Sequence, residues 1–219
     1  MAEKYGEVPQ KWTKKWWEYF WDYYKWHVII TFVALLITAV TVVQCVTREK
    51  FDAHIVYAGH TKYAEETIAN IETSFAEHMT DIDGNGEKKA KLHNILFMDT
   101  AGSAEFDSAM QAKLDVTFLD DCTFIYLMDK FEAEIYANRD SAEDNFMHVE
   151  DFAPDSTGEI ITSQNGTGYA ISLENSTFLK ENNIYCEDLY LLIRNNYKTD
   201  EENIQAHKDA LDIAKILVK

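Results

Sequence analysis

The stretch Val28–Val46, which reads VIITFVALLITAVTVVQCV, organises the rest of the chain. Its nineteen residues include no charged side chain, no proline and no glycine. As an α-helix it would span about 28 Å, close to the roughly 30 Å hydrocarbon thickness of a bilayer. A buried core helix usually shows a polar face, and a cleaved signal peptide has a shorter apolar region that ends in small residues. We therefore predict a retained transmembrane helix; the core helix and the signal peptide are the alternatives.

The apolar stretch separates two parts of opposite net charge. Up to Arg48 the chain has six Lys or Arg and four Asp or Glu, a net charge of +2. The 219-residue chain has 20 basic and 38 acidic residues, so 14 basic and 34 acidic residues follow Arg48, a net charge of −20. An acidic domain repels nucleic-acid phosphates, so we predict no nucleic-acid partner. The charge allows a cation, a basic partner or simple solubility.

Basic residues beside the stretch predict its orientation, because Lys and Arg tend to remain on the cytoplasmic side. The basic residues before and after it are Lys11, Lys14, Lys15 and Lys25, against Arg48 and Lys50. The bias is modest and favours a cytoplasmic N-terminus. We predict a single-pass signal anchor in the cell membrane, with residues 51–219 forming an extracytoplasmic domain.

Residues 1–27 are rich in aromatic and basic side chains. All five tryptophans of the chain lie here: Trp12, Trp16, Trp17, Trp21 and Trp26. Trp and Tyr favour the bilayer interface because each ring has an apolar body and a polar tip, and lysine side chains can extend to the headgroups. We predict a cytoplasmic or interfacial helix with the lipid bilayer as its partner. Docking onto another membrane protein is the alternative, since an interfacial belt rarely needs so many aromatic rings.

Residues 51–219 show the alternating patterns of one α/β domain. Strands are predicted over residues 51–59, 90–98, 122–128, 159–162, 169–173 and 188–194. Helices are predicted over residues 61–79, 105–114, 131–138, 176–181 and 200–218. The opening order of strand, helix, strand, helix, strand implies parallel pairing with right-handed crossovers. We therefore predict one three-layer α/β domain with a largely parallel sheet.

A polar turn between the first helix and the second strand of this domain is similar to a calcium-binding loop. Its candidate ligands are Asp81, Asp83, Asn85 and Glu87. The D-x-D-x-N-G spacing suits calcium, but position twelve of such a loop should be a bidentate Glu, and here it is Leu92. A hydrogen-bonded turn rich in Asp, Asn and Gly is the alternative. We predict no cofactor, with calcium as the one candidate.

The carboxyl ends of parallel strands meet at one edge of a sheet, where α/β proteins bind ligands. Ser103 also suits the cap of the helix that follows the second strand. The polar residues at this edge that predict a ligand site are His60, Asp99, Thr100, Ser103 and Asp129. Short polar residues also end strands without any functional role, which is the alternative.

Few other residues suggest chemistry. The chain lacks the nucleophile elbow, the phosphate-binding loop, the H-E-x-x-H motif and the C-x-x-C motif, so we predict that it is not an enzyme. Cys45 lies in the apolar stretch, which leaves Cys122 and Cys186 as the one pair that could form a disulfide. Both lie beside apolar runs and fit the commoner role of small buried residues.

Short motifs along the chain resemble an uncharacterised family of single-pass, membrane-anchored proteins from Gram-positive bacteria. The motifs are the aromatic–basic start, the membrane helix, the D-x-D/N-G-x-G turn, TFIYLMDK (123–130) and DLYLLIR (188–194). The family commonly has D-x-N-G-D-G-K at the turn, from which this chain departs. Residues 51–137 are also loosely similar to one lobe of an extracytoplasmic solute-binding protein. The resemblance implies an anchored α/β domain outside the cytoplasm that is too short for two full lobes.

Two functions are consistent with these patterns. The first is a non-enzymatic accessory or interaction protein for a membrane assembly such as a transporter, with an exposed acidic domain. The second is a solute- or cation-binding module that uses the strand-end edge or the turn at Asp81. Binding of calcium to the domain would favour the cation version of the second.

Overall fold

The structure is a computed structural model that describes residues 10–47, 51–82, 84–98, 100, 102–120 and 122–219. The chain divides into two compact units, Met1–Glu49 and Lys50–Lys219. The described part of the first unit forms one helix, and the second unit contains the α/β domain.

One continuous helix, α1 (Lys14–Thr47), contains the whole apolar stretch Val28–Val46 and most of the aromatic segment, residues 11–27. Its 34 residues correspond to about 51 Å of helix. By length and composition α1 is able to cross a membrane, which confirms the prediction of one long apolar N-terminal helix. Aromatic rings four residues apart stack along its first turns: the centroid of Phe20 lies 5.4 Å from that of Trp16 and 5.5 Å from that of Tyr24.

The second unit is an α/β domain, as predicted, built on a six-stranded sheet. Its strands are β1 (Ala53–Gly59), β2 (Ala90–Leu96), β3 (Thr123–Asp129), β4 (Ile160–Thr162), β5 (Gly168–Ser172) and β6 (Leu189–Ile193). Its helices are α2 (Glu65–Glu77), α3 (Ala104–Thr117), α4 (Lys130–Ala137), α5 (Ala142–Asn145), α6 (Val149–Phe152), α7 (Thr177–Glu181) and α8 (Glu201–Leu217). The short helices α5 and α6 lie in a region that the sequence pattern left irregular.

The sheet is mixed rather than largely parallel, which corrects the prediction. Its order is β2-β1-β3-β6-β5-β4. β1 pairs parallel with β2 on one side and with β3 on the other. β6 pairs antiparallel with both β3 and β5, and β5 pairs antiparallel with β4. Helices α2 and α3 provide the crossovers between the parallel strands, whereas β4 and β5 are joined by the short turn 163–167. A connection that short joins only antiparallel neighbours, which accounts for the pairing of β4 with β5.

Each face of the sheet packs against a separate hydrophobic core. Along β1 the side chains alternate: Ile55 and Tyr57 belong to one core, and Val56 and Ala58 belong to the other. Helices α2, α6, α7 and α8 pack in the first core, and α3 and α4 pack in the second. All seven residues of β3 are buried, as the nearly continuous apolar sequence of a central strand predicts.

Candidate functional site

The strand order creates a crevice at the carboxyl ends of β1 and β3. The chain leaves β1 through α2 to reach β2, and then returns through α3 to β3 on the other side of β1. The connections that leave β1 and β3 begin with α2 and α4, which pack in different cores, so they diverge between the carboxyl ends of these two strands. Open α/β sheets bind ligands at this kind of switch point.

His60 and Asp129 meet in this crevice. Oδ2 of Asp129 lies 2.6 Å from Nδ1 of His60 and accepts a hydrogen bond from the backbone N–H of His60 at 2.8 Å. Gly59 allows this close approach: a Cβ atom there would lie 2.9 Å from Oδ2 of Asp129 and 2.8 Å from Oη of Tyr57. The end of β1 is therefore held directly against the end of β3.

Asp129 also begins helix α4. Its Oδ1 accepts a hydrogen bond from the backbone N–H of Glu132 at 2.9 Å, which makes Asp129 the N-cap of the helix. One carboxylate thus joins the residue after β1 to the first turn of α4. Asp129 is thus in hydrogen-bond contact with the His60 ring through one oxygen and with the backbone of Glu132 through the other.

Glu132 is a buried acid. The residue is only 3% exposed, and its Oε2 has no hydrogen-bond partner among the described residues. Burial, and secondly the neighbouring charge of Asp129, raises the pKa of Glu132 to about 7. His60 and Arg139 act in the opposite direction on this pKa. Glu132 therefore changes its charge near neutral pH.

A cleft of about 380 Å³ opens beside these groups. Its described lining includes His60, Phe97, Asp107, Gln111, Phe131 and Glu132. The rings of Phe97 and Phe131 flank His60, with centroids 5.8 and 5.6 Å from that of the imidazole. Apolar walls with a few converging polar groups are typical of a small-molecule site.

The remaining residues of the predicted strand-end site lie apart from the pair of His60 and Asp129. Ser103 precedes α3 as predicted, but its hydroxyl hydrogen-bonds Thr100 and Asp107 rather than a backbone N–H of the helix. Neither Ser103 nor Thr100 is among the described residues that line the cleft. Asp99 lies outside the described residues.

Sequence reasoning missed Glu132, Asp107 and the two phenylalanines of the cleft. One signal was available: Glu132 follows Asp129 by three residues, the spacing of a helix capping box. Phe97 reads as an ordinary strand residue, and nothing in the local pattern marks Asp107 or Phe131. Their place in the site follows from the packing of α3 and α4 around the end of the sheet.

The predicted calcium turn is closed by its own hydrogen bonds. The carboxylate of Asp81 accepts from two backbone N–H groups of the turn, at 3.2 and 2.8 Å, and Oδ1 of Asn85 accepts from that of Glu87 at 2.7 Å. Glu87 also pairs with Lys89 at 2.7 Å. Asp83 lies outside the described residues, and in the described part no group of three or more His, Cys, Asp or Glu is placed to hold a metal. These contacts match the hydrogen-bonded turn.

Two cysteines of the domain carry free thiols. Cys186 is buried and Cys122 is half-buried, and no disulfide joins them. Burial raises the pKa of both thiols, which keeps them protonated and unreactive. Both therefore act as packing residues.

The predicted interface tryptophans lie in α1 or just before it. Trp12 precedes the helix, and Trp16 is half-buried by its neighbours in the helix. Trp17, Trp21 and Trp26 are each more than half exposed. The helix therefore presents large aromatic rings at its surface along the turns before the apolar stretch.

Comparison with known proteins gives no match: no family model, curated protein or solved structure is significantly similar to the chain. A fold class by itself does not define an activity, so the geometry and charge of the site carry the functional conclusion.

Proposed function

We propose that the chain is a single-pass membrane protein whose extracytoplasmic domain binds a small solute in the cleft without transforming it. The observation that carries this proposal is the pair of His60 and Asp129 at the switch point of the sheet, beside a cleft of about 380 Å³. The anchor is α1, and the excess of lysines before its apolar part favours a cytoplasmic N-terminus.

The arrangement of polar groups supports binding. Asp129 engages Nδ1 of His60 and so fixes the plane of the ring, which leaves Nε2 as the ring nitrogen able to meet a ligand. The His60 side chain is 30% exposed, enough for contact with a solute. A polar group held in place by a second one needs little reorganisation when a ligand arrives.

The test is a search for ligands with the full chain in lipid nanodiscs. Ligand-observed NMR would be run against a mixed library of amino acids, amines, sugars and carboxylates. Ser108 lines the cleft and is exposed, so Ser108→Trp should obstruct it without removing a packed side chain. Ala109→Trp places the same bulk at the next exposed position, outside the described lining, and is the matched control.

We expect some library compounds to bind the wild-type and Ala109→Trp proteins but not the Ser108→Trp protein. These compounds should be recovered chemically unchanged. The proposed site would be contradicted if no library compound bound the wild-type protein, or if the compounds that bind it bound Ser108→Trp equally well. Chemical conversion of a bound compound would contradict the binding-only role.

A second candidate function, docking of α1 onto a membrane protein such as a transporter, is favoured by the length of the helix. Trp17 precedes Val28 by eleven residues of continuous helix, or about 16 Å. The interfacial layer of a bilayer leaflet is only about 5–8 Å thick. With Val28 at the hydrocarbon boundary and the helix near the membrane normal, Trp17 lies beyond the lipid interface, where a protein surface would cover it.

Site-specific photocrosslinking in cells tests the docking function. A photoreactive residue at Trp17 should give a discrete protein adduct, whereas the same residue at Leu35, in the apolar stretch, should give lipid adducts only. Lipid adducts at both positions would show that the aromatic segment lies in the lipid interface, and would contradict the docking hypothesis.

A further inference from the structure

We infer that the ligand of the cleft is an organic cation, in which a protonated amine is attached to a small apolar body. The inference rests on the proposed function, because it concerns the ligand of that same cleft. Three features carry it: the charge of the lining, the unpartnered oxygen of Glu132, and the aromatic walls.

The charge around the cleft favours a cation. Asp107 and Glu132 line it, Asp129 lies directly behind His60, and none of the described lining residues is Lys or Arg. The one basic group of the lining, His60, is already paired with Asp129. An entering anion would therefore meet net repulsion, whereas a cation would meet net attraction.

The helix N-termini at this edge do not reverse that preference. The first turns of α3 and α4 would attract an anion if they were unoccupied. Asp129 already accepts from the first turn of α4 at 2.9 Å. Asp107 lies in the first turn of α3, where it also accepts from the N–H of Met98 at 2.9 Å. At α4 a carboxylate of the chain thus takes the position that a bound anion would use, and at α3 the negative charge of Asp107 in the first turn opposes an anion.

The buried carboxyl of Glu132 is the independent observation. Glu132 is only 3% exposed, and its Oε2 accepts no hydrogen bond from the described residues. Such an oxygen is unusual, because the group loses its bound water without a compensating donor. An ammonium group supplies both a hydrogen-bond donor and a compensating charge. A neutral hydroxyl would supply the donor alone, so the amine is the better match.

The walls of the cleft suit the rest of such a molecule. The ring centroids of Phe97 and Phe131 lie 5.8 and 5.6 Å from that of His60, and the lining residue Ile135 is partly exposed. Aromatic faces attract cations as well as apolar groups. A volume of about 380 Å³ accommodates an arylalkylamine with room to spare.

Three probes of nearly equal shape test the charge preference: 2-phenylethylamine, 2-phenylethanol and phenylacetate. Calorimetry with the full chain in nanodiscs, at a pH of about 8 where Glu132 is ionised, should show the amine binding at least about tenfold more tightly than the alcohol. Phenylacetate should bind most weakly. Glu132→Gln should remove most of the advantage of the amine, while Glu134→Gln, on an exposed position of the same helix, should leave it intact.

The outcomes separate the inference from the proposed function. Equal or tighter binding of the alcohol or of phenylacetate, lost in Ser108→Trp, would overturn the cation and leave the binding site standing. An amine preference that survives in Glu132→Gln would overturn the role of Glu132. Absence of 2-phenylethylamine binding at concentrations up to about 10 mM would also overturn the inference. It would leave the proposed function standing, because the screen of the mixed compound library tests that function separately.

Discussion

Glu132 contradicts the usual preference of its side chain, since Glu is almost never fully buried unless it is paired. It lies on the inward face of α4, next to the core residues Ala133 and Tyr136. Its Oε2 finds no partner among the described residues, and its charge is close to that of Asp129. Local rules are broken in this way most often at functional sites, where a cost in stability is tolerated.

The pKa of Glu132 predicts a specific dependence of stability on pH. Its folded-state pKa, about 7, lies above the ordinary value of 4.5, so the folded protein binds this proton more tightly than the unfolded chain. Stability from this group is present below pH 4.5 and is lost as pH rises towards 7. At a pH of about 8, Glu132→Gln should therefore stabilise the protein by up to about 3 kcal/mol.

Unfolding of the variant and of the wild type, followed at a pH of about 4 and of about 8, checks this prediction. The gain should vanish at the lower pH, where Glu132 is protonated in both states. Glu134→Gln serves as the control and should change little at either pH, since Glu134 is exposed. A gain of the same size at both pH values would contradict the titration of Glu132.

At the scale of elements, side-chain carboxylates organise several of the described connections. Asp52 lies just before β1 and is only 5% exposed. Its two oxygens accept hydrogen bonds from the backbone N–H groups of Ile82 and Lys89, each at 2.8 Å. Asp52 thus closes the base of the turn that resembles a calcium loop.

Loss of the Asp52 carboxylate should destabilise the fold more than loss of the Asp81 carboxylate. Asp52→Ala leaves two partly buried N–H groups without acceptors and should cost about 3 kcal/mol. Asp81→Ala affects an exposed turn and should cost about 1 kcal/mol. Urea unfolding measures both, and the chelator EGTA should leave the unfolding midpoint unchanged. A marked loss of stability in EGTA would instead favour calcium in the turn.

Two helices begin with an Asp N-cap, and their comparison tests the double role of Asp129. Asp200 caps only α8, so Asp200→Ala should remove the contribution of one N-cap and no more. Asp129 caps α4 and also binds His60, so Asp129→Ala should cost about 2–3 kcal/mol. Chemical denaturation of the two variants gives the difference. Equal costs would mean that the contact with His60 adds nothing to stability.

At the scale of the whole molecule, the excess of lysines before the apolar part of α1 predicts how the chain inserts into a membrane. In a background with the three cysteines replaced by Ala, Glu201→Cys should react with a membrane-impermeant maleimide in intact cells. Lys11→Cys should react only after lysis. Both positions are exposed in their own units, so accessibility depends on the membrane alone. The opposite labelling pattern would reverse the orientation.

Most elements were predictable because they depend on neighbours in sequence. The seven buried residues of β3 and the apolar spacing along α2 and α8 are local patterns, and the observed bounds follow them within a few residues. The candidate site was predictable only in part. His60 and Asp129 end strands that the order of elements predicts to be parallel, although that order does not make β1 and β3 neighbours. Asp107 and Phe97 carry no local mark of their role, and Glu132 is marked only by its capping-box spacing from Asp129.

The amino-acid sequence by itself determined the long apolar helix, the α/β class and the positions of nearly all strands, because hydrophobic periodicity and turn residues act over short distances. Tertiary structure alone decided the antiparallel half of the sheet, since pairing of β3 with β6 joins segments far apart in the chain. It also decided the site. His60 and Asp129 are 69 positions apart, and only the packing of β1 against β3 and α4 brings them together beside the unpartnered carboxyl of Glu132.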